Sequence, residues 1–526
     1  MRPAGVAQSD EGAPGPGEAR LLASGALVQQ IAQAGGLLVL LVVVTILARR
    51  LSVAQLGAYG LVASLAGYLL VLRNSVASSA VRAMAAAVEP GERTLVFSAA
   101  AVLYAAVGLA TGLLIAGAGL AIAGLILEGD LARDARLGGL GLGAVTGAGI
   151  SASVFLDGMR AERRFLHAAR LEILALSLHL GLMLTLIFAG AGLAVLIAAS
   201  GAIPLLSGLL CALAVRRLRL PLRLVPGGRP RSTRLGRVRT VGVTRSRVME
   251  IVPTAGWLLV IELCNLAMYA SGRIVLGAYR TPASVGLFEG PVRAHNLLYA
   301  LSGALAVPVV PTASRYVASE DRRRLQELVV RGTRYTLALF VPLCVTLMAL
   351  SEPILEVWLG ERYGDGGAAL AILVSYWLLY GGLVVSPGFL VGAGLARAVA
   401  RVMLGVAAAN LVLALALTPK LGLEGPALAT AVPFVVAFPL LLRLGLQASG
   451  VTLTRIVGGA YLPAWVLGVS LALALAFVRF GIGPQTLPAV LGFAGGAIVL
   501  YWAAFYGLVL APGERAFVRG LLRRRG

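Results

Sequence analysis

Charged and polar side chains inside long apolar runs are where this sequence could do chemistry. Arg73, followed by Asn74, interrupts the run from 56 to 84, too far from either end for its head group to reach the surface easily. Glu289 and Arg293 stand four residues apart, on one face of a helix, and His295 and Asn296 follow. Glu262 has Asn265 one helical turn away. A guanidinium stays charged and matches phosphate oxygens in a bidentate way, so Arg73, Asn74, Arg293 and Asn296 read as candidates for holding an anionic substrate. A carboxylate at bilayer depth can bind a proton or a cation as its exposure changes, so Glu262, Asn265 and Glu289 read as candidates for coupling to an ion, a proton or sodium. Structural readings stand beside these: an intraprotein pair or a helix end at the interface for Arg73, a self-neutralising pair for Glu289 and Arg293, and a hydrogen-bonded carboxylate for Glu262. Each charge at such depth costs at least ~2.5 kcal/mol on insertion scales, so each should face a cavity or a partner.

The elements that must carry them are membrane-spanning helices. The sequence is 59% hydrophobic and 13% charged, with apolar runs of bilayer length along its whole extent. The spacing predicts an all-α, polytopic membrane protein of about fourteen transmembrane helices, at 24–48, 56–84, 96–127, 137–157, 166–189, 192–215, 249–278, 284–312, 333–351, 368–394, 398–418, 424–446, 455–478 and 487–511. A polar stretch from Arg216 to Arg247 holds eleven arginines and no carboxylate. The organisation expected is therefore a disordered tail over 1–20, a six-helix bundle over 21–215, a cytoplasmic hinge over 216–248, a second six-helix bundle over 249–446, and two further helices with a basic tail over 447–526. With both termini on one side, that side collects most of the 45 basic residues, which predicts both termini in the cytoplasm. The formal charge of +22 thus reports topology and membrane-lipid contact rather than nucleic acid.

The halves echo each other. Val53-Ala54-Gln55-Leu56-Gly57-Ala58-Tyr59-Gly60 can be laid over Pro282-Ala283-Ser284-Val285-Gly286-Leu287-Phe288-Glu289, and each opens a helix with a glycine and then an aromatic. An even number of helices per repeat gives the halves one orientation and a pseudo-twofold along the membrane normal. By this alignment Glu262 falls opposite Gln33. Gln29, Gln30 and Gln33 could line the inner mouth or join helices by hydrogen bonds, and His167 and His179 read as packing or interface residues.

The turn Leu47-Ala48-Arg49-Arg50-Leu51-Ser52-Val53-Ala54-Gln55-Leu56-Gly57-Ala58-Tyr59 resembles that of the Wzx-type polysaccharide flippases, in the multidrug/oligosaccharidyl-lipid/polysaccharide exporter superfamily. So do Val285 to Phe288, Val307 to Arg315, Phe340-Val341-Pro342, Glu352 to Leu355 and Trp358-Leu359-Gly360, in order, within a similarity running from about 22 to 446. The resemblance implies two six-helix bundles around a cation-rich cavity in the inner membrane. It also implies transfer of an undecaprenyl-diphosphate-linked oligosaccharide between leaflets, beside polysaccharide-biosynthesis partners. Gly272 stands where such proteins often have an Asp before the arginine, here Arg273, so no acidic role carries over. A multidrug or cation antiporter of the same superfamily and a polytopic glycosyltransferase or polymerase are the alternatives. The short outer loops disfavour the enzyme. With no phosphate-binding loop around Lys420 and no Cys/His metal spacing, neither cofactor nor metal is expected.

Overall fold

A computed structural model of the chain describes residues 35–36, 39–86, 90–162, 164–218, 263–265, 267–268, 270–383, 390 and 395–516. Gln29, Gln30, Gln33, Glu262 and the hinge beyond Leu218 lie outside the described residues. Within them the chain is helical and has no strand. Among the described residues, nine helices are long and apolar enough to cross a membrane, and a bent pair at Leu193–Ser200 and Ala202–Arg217 makes a tenth.

One lobe consists of α1 (39–50), α2 (Val53–Ala86), α3 (Pro90–Leu125), α4 (Gly129–Ala161), α5 (Phe165–Phe188) and the bent pair α6 (Leu193–Ser200) and α7 (Ala202–Arg217). The other holds α8 (270–279), α9 (Pro282–Ala318), α10 (Arg322–Ala349), the short α11 (Ser351–Leu359) and a composite span α12 (Glu361–Leu383) that opens on a 3-10 stretch. It continues through α13 (Ala396–Leu421), α14 (Glu424–Ser449), α15 (Leu453–Ile482) and α16 (Leu487–Val509).

Lipid tails are as apolar as leucine, so helices in a bilayer are held together by close packing of small residues. The seam between α3 and α4 shows this. Gly112 faces Gly143, where an added Cβ would lie 2.7 Å from the Gly143 carbonyl oxygen, and Gly119 faces Gly139 at 3.0 Å. The other face of α4 is equally tight: a Cβ on Gly138 would lie 2.8 Å from Ile197 and one on Gly149 2.6 Å from the Leu205 nitrogen. Glycine on both faces lets α4 sit between α3 and the bent pair.

The lobes meet where α2 and α9 begin, and the contact is reciprocal under the repeat alignment. Gly57 lies on the carbonyl oxygen of Pro282, and Gly286, its counterpart, lies on that of Val53, the counterpart of Pro282. One turn deeper Gly60 packs on the side chain of Glu289, its own counterpart. Beside this contact Trp358 Nε1 donates to Thr45 Oγ1 at 2.5 Å and Arg49 donates to the Val357 carbonyl at 3.2 Å, tying α1 to α11. Gly360 closes α11 at a φ of 120°, a conformation glycine adopts freely.

The last two helices pack on α10. Beyond them the Glu514 carboxylate accepts from Tyr335 Oη at 2.7 Å, the Ala511 N–H at 2.9 Å and Arg334 at 3.4 Å. Burial opposes its charge, but the Ala511 N–H, Tyr335, Arg334 and Arg331 together hold the carboxyl below its ordinary value. A depressed carboxyl stabilises the dock above its ordinary value of 4.5 and ceases to do so as pH falls through the lower folded value. A fluorophore on Ala516 should therefore lose anisotropy on acidification below that range, and Glu514→Gln should make the signal low and flat. A wild-type signal that is itself flat would contradict this.

Candidate functional site

A cavity of about 500 Å³ lies between the lobes, walled by α1, α2, α4, α5 and the α6–α7 bend on one side and by α8 and α9 on the other. The α8–α9 wall carries charge. Arg273 Nε donates to Glu289 Oε1 at 2.5 Å, and Arg293 Nε donates to Glu289 Oε2 at 3.1 Å. The Glu289 and Arg273 side chains are 1% and 2% exposed, and that of Arg293 is 10% exposed. Arg273 and Arg293 both line the cavity, together with Asn265, Asn296 and Tyr299. Among the described residues, two guanidiniums share one carboxylate on this wall, in surroundings where charge is weakly screened. Ser271, donating to Asn410 Oδ1 at 2.9 Å, fixes α8 against α13, and Asn410 donates on to the Ala429 carbonyl at 3.0 Å. A Cβ on Gly272 would lie 3.2 Å from the Pro426 side chain, so a larger residue there would need α14 to give by a few tenths of an ångström.

The α2 wall is different. The offset that sets Gly57 on Gly286 sets Ser64 on Arg293 and Gly67 on Asn296, and both Ser64 and Gly67 line the cavity. One repeat supplies cation and amide, and the other supplies room.

The structure divides the sequence candidates. Arg293, Asn296 and Asn265 come together on the cavity, with Glu289 behind them. Arg73 is absent from the lining; it lies one turn beyond Leu70, which does line it, and donates to Asp157 Oδ2 at 2.6 Å. Of the two readings open for Arg73, an intraprotein pair is present. Asp157, 1% exposed, also accepts from Tyr104 at 2.7 Å and Arg160 at 3.0 Å, and Arg160 reaches on to Glu172 at 2.9 Å. The Asn74 side chain, like Glu262, is outside the described residues. His295 is buried, with Nε2 2.7 Å from Tyr376 Oη in the aromatic core formed with Trp377, Phe340 and Phe434, and does not line the cavity. His167 is exposed, whereas His179 is on the cavity wall. Sequence reasoning missed Arg273 as the second partner of Glu289, and missed Asp157 and Thr146 altogether. Among the described residues no group of three His, Cys, Asp or Glu side chains could hold a metal ion.

A solved structure titled lipid II flippase MurJ, inward closed conformation, superposes with a TM-score of 0.65, covering 91% of this chain and 99% of that one at 15% identity. A multidrug-resistance MATE-family transporter of the MOP superfamily, in an inward-facing conformation, gives a TM-score of 0.58 over 81% of this chain and 98% of that one, also at 15% identity. Residues 235–366 match the family model described as polysaccharide biosynthesis protein. A probable low-salt glycan biosynthesis flippase, Agl15 of Haloferax volcanii, is 22% identical over 162 residues, which are 31% of this chain and 34% of the relative. The matched stretch thus spans about a third of that relative's length.

The chain is a multi-pass membrane protein that shares the fold of these MurJ and MATE structures. The stretch 235–366 is similar to polysaccharide biosynthesis proteins, in line with the motif order from Leu47 to Gly360.

Proposed function

We propose that the chain is a flippase carrying an undecaprenyl-diphosphate-linked oligosaccharide from the inner to the outer leaflet of the cytoplasmic membrane, for polysaccharide biosynthesis. The observation that carries this reading is that Arg273 and Arg293, gathered on Glu289, both line the cavity wall. A diphosphate is the complementary group, and guanidinium holds it bidentately. The two lobes work by alternating access, with the lipid tail left in the bilayer and the hinge and both termini in the cytoplasm. Glu262, with Asn265 a turn away, is the candidate coupling site for a proton or sodium. Arg73, paired to Asp157, serves to hold α2 to α4. The basic loops meet anionic lipid, and polysaccharide-biosynthesis proteins are the partners.

In proteoliposomes, a fluorescent undecaprenyl-diphosphate oligosaccharide should change leaflets with the wild type. Arg293→Ala should slow it about 10- to 150-fold, the worth of a charge-assisted hydrogen bond. Wild-type protein that moves no such lipid but exchanges a cationic dye for protons or sodium would replace this reading with the antiporter.

A further inference from the structure

The wall across from the arginines holds polar atoms with nothing to bond. Thr146 on α4 and His179 on α5 both line the cavity, 1% and 5% exposed. Among the described residues, neither Thr146 Oγ1 nor His179 Nδ1 has a hydrogen-bond partner. A buried polar atom left unpaired is costly, and both atoms are closed off by their neighbours in this arrangement, so a ligand that completes them would enter as the wall parts.

The local backbone has the same character. The span containing α6 and α7 bends by 50° at Gly201, and Ser200, Gly201 and Pro204 line the cavity. Pro204 has no N–H to give the Ser200 carbonyl, so that carbonyl loses its helical donor at the bend. Gly201 is tied to this spot because a Cβ there would collide with Thr146 Oγ1. Among the described residues, no charged side chain of this lobe lines the cavity. A hydroxyl, an imidazole nitrogen and helix backbone, with no net charge, suit a neutral group rich in hydroxyls or amides.

We propose that Thr146, His179 and the Gly201 bend form a sugar-binding subsite that takes the hydroxyls or acetamido group of the first saccharide, while the arginine wall takes the diphosphate. This rests on the flippase reading and deepens it: the headgroup is gripped by one lobe through its charge and by the other through its sugar, so it spans the two parts that move.

The test measures Kd, in nanodiscs, for undecaprenyl diphosphate and for the same lipid bearing one N-acetylglucosamine. The wild type should bind the sugar-bearing lipid more tightly, and Thr146→Val and His179→Phe should each reduce the ratio of the two constants by about 3- to 10-fold. Thr146→Ser should keep the wild-type ratio, which separates a lost hydroxyl from a disturbed fold. A wild-type ratio of one would sink the subsite and leave the diphosphate reading standing, whereas binding of neither lipid would sink both. Ratios untouched in the variants, or a sodium dependence lost with Thr146→Val while the ratio is kept, would reject the sugar in favour of packing or of a cation.

Discussion

Asp157→Ala should destabilise the first lobe by about 3–5 kcal/mol, and more than Arg73→Ala does. The asymmetry follows from the network. Removing Asp157 takes one carboxylate from both Arg73 and Arg160 and leaves the Tyr104 hydroxyl without its acceptor. Arg160 still has Glu172, but Arg73 loses its carboxylate in a place where its side chain is only 14% exposed. Removing Arg73 leaves Asp157 held by Arg160 and Tyr104, a loss nearer to one charged hydrogen bond, about 1.5–3 kcal/mol. Thermal unfolding of the three proteins in detergent gives the order directly. If Arg73→Ala proved the more damaging, or abolished lipid transfer in a protein as stable as wild type, the structural role assigned to Arg73 would fail and a role in gripping the substrate would return.

Gly57→Val is expected to hold the lobes apart at the α2–α9 contact and stop transport without unfolding the chain. The added Cβ falls on the Pro282 carbonyl oxygen, a backbone atom that cannot swing aside as a side chain would, so the helices must separate. Overpacking of this kind costs about 1–3 kcal/mol, enough to shift the balance of closed and open arrangements about 5- to 150-fold. Gly286→Val touches the Val53 carbonyl in the same way and should have the same effect. The double variant should add little, because the contact is already broken. Spin labels on Gln55 and Ser284 report the separation, and an unchanged distance distribution with normal transport would overturn the assignment of this contact as a gate.

Much of this was legible in the sequence. Long apolar runs marked the spans because a bilayer core requires them, and the octet at Val53 pointed to its counterpart at Pro282, which the reciprocal contact now brings face to face. Helix ends were less legible. The fourth helix, expected over 137–157, runs from Gly129 to Ala161, because its ends are held by neighbouring helices rather than by apolar character. That error hid Asp157, which looked like an end residue and is an interior one. The sixth span was read as unbroken although Gly201 and Pro204 stood inside it, and α11 was not expected at all. Within the site, Arg293 and Asn296 stood out because charge in an apolar run is conspicuous. Thr146 did not, since a lone threonine in a glycine-rich run carries no signal until the bend is brought beside it. Arg73 showed its charge but not its partner, which lies 84 residues away with no local motif to link them.

The contact of Gly57 with Pro282 and of Gly286 with Val53 is the kind made by two identical subunits across a twofold axis, where one patch meets its own copy. Such a patch is self-complementary, so one half of this chain already contains the surface needed to shut against a duplicate of itself. Fusing two copies would then inherit a working closure with no new interface to invent. Difference begins one turn deeper, where Gly60 on one side faces Glu289 on the other, and from that point inward the halves are free to specialise as one wall of charge and one of space.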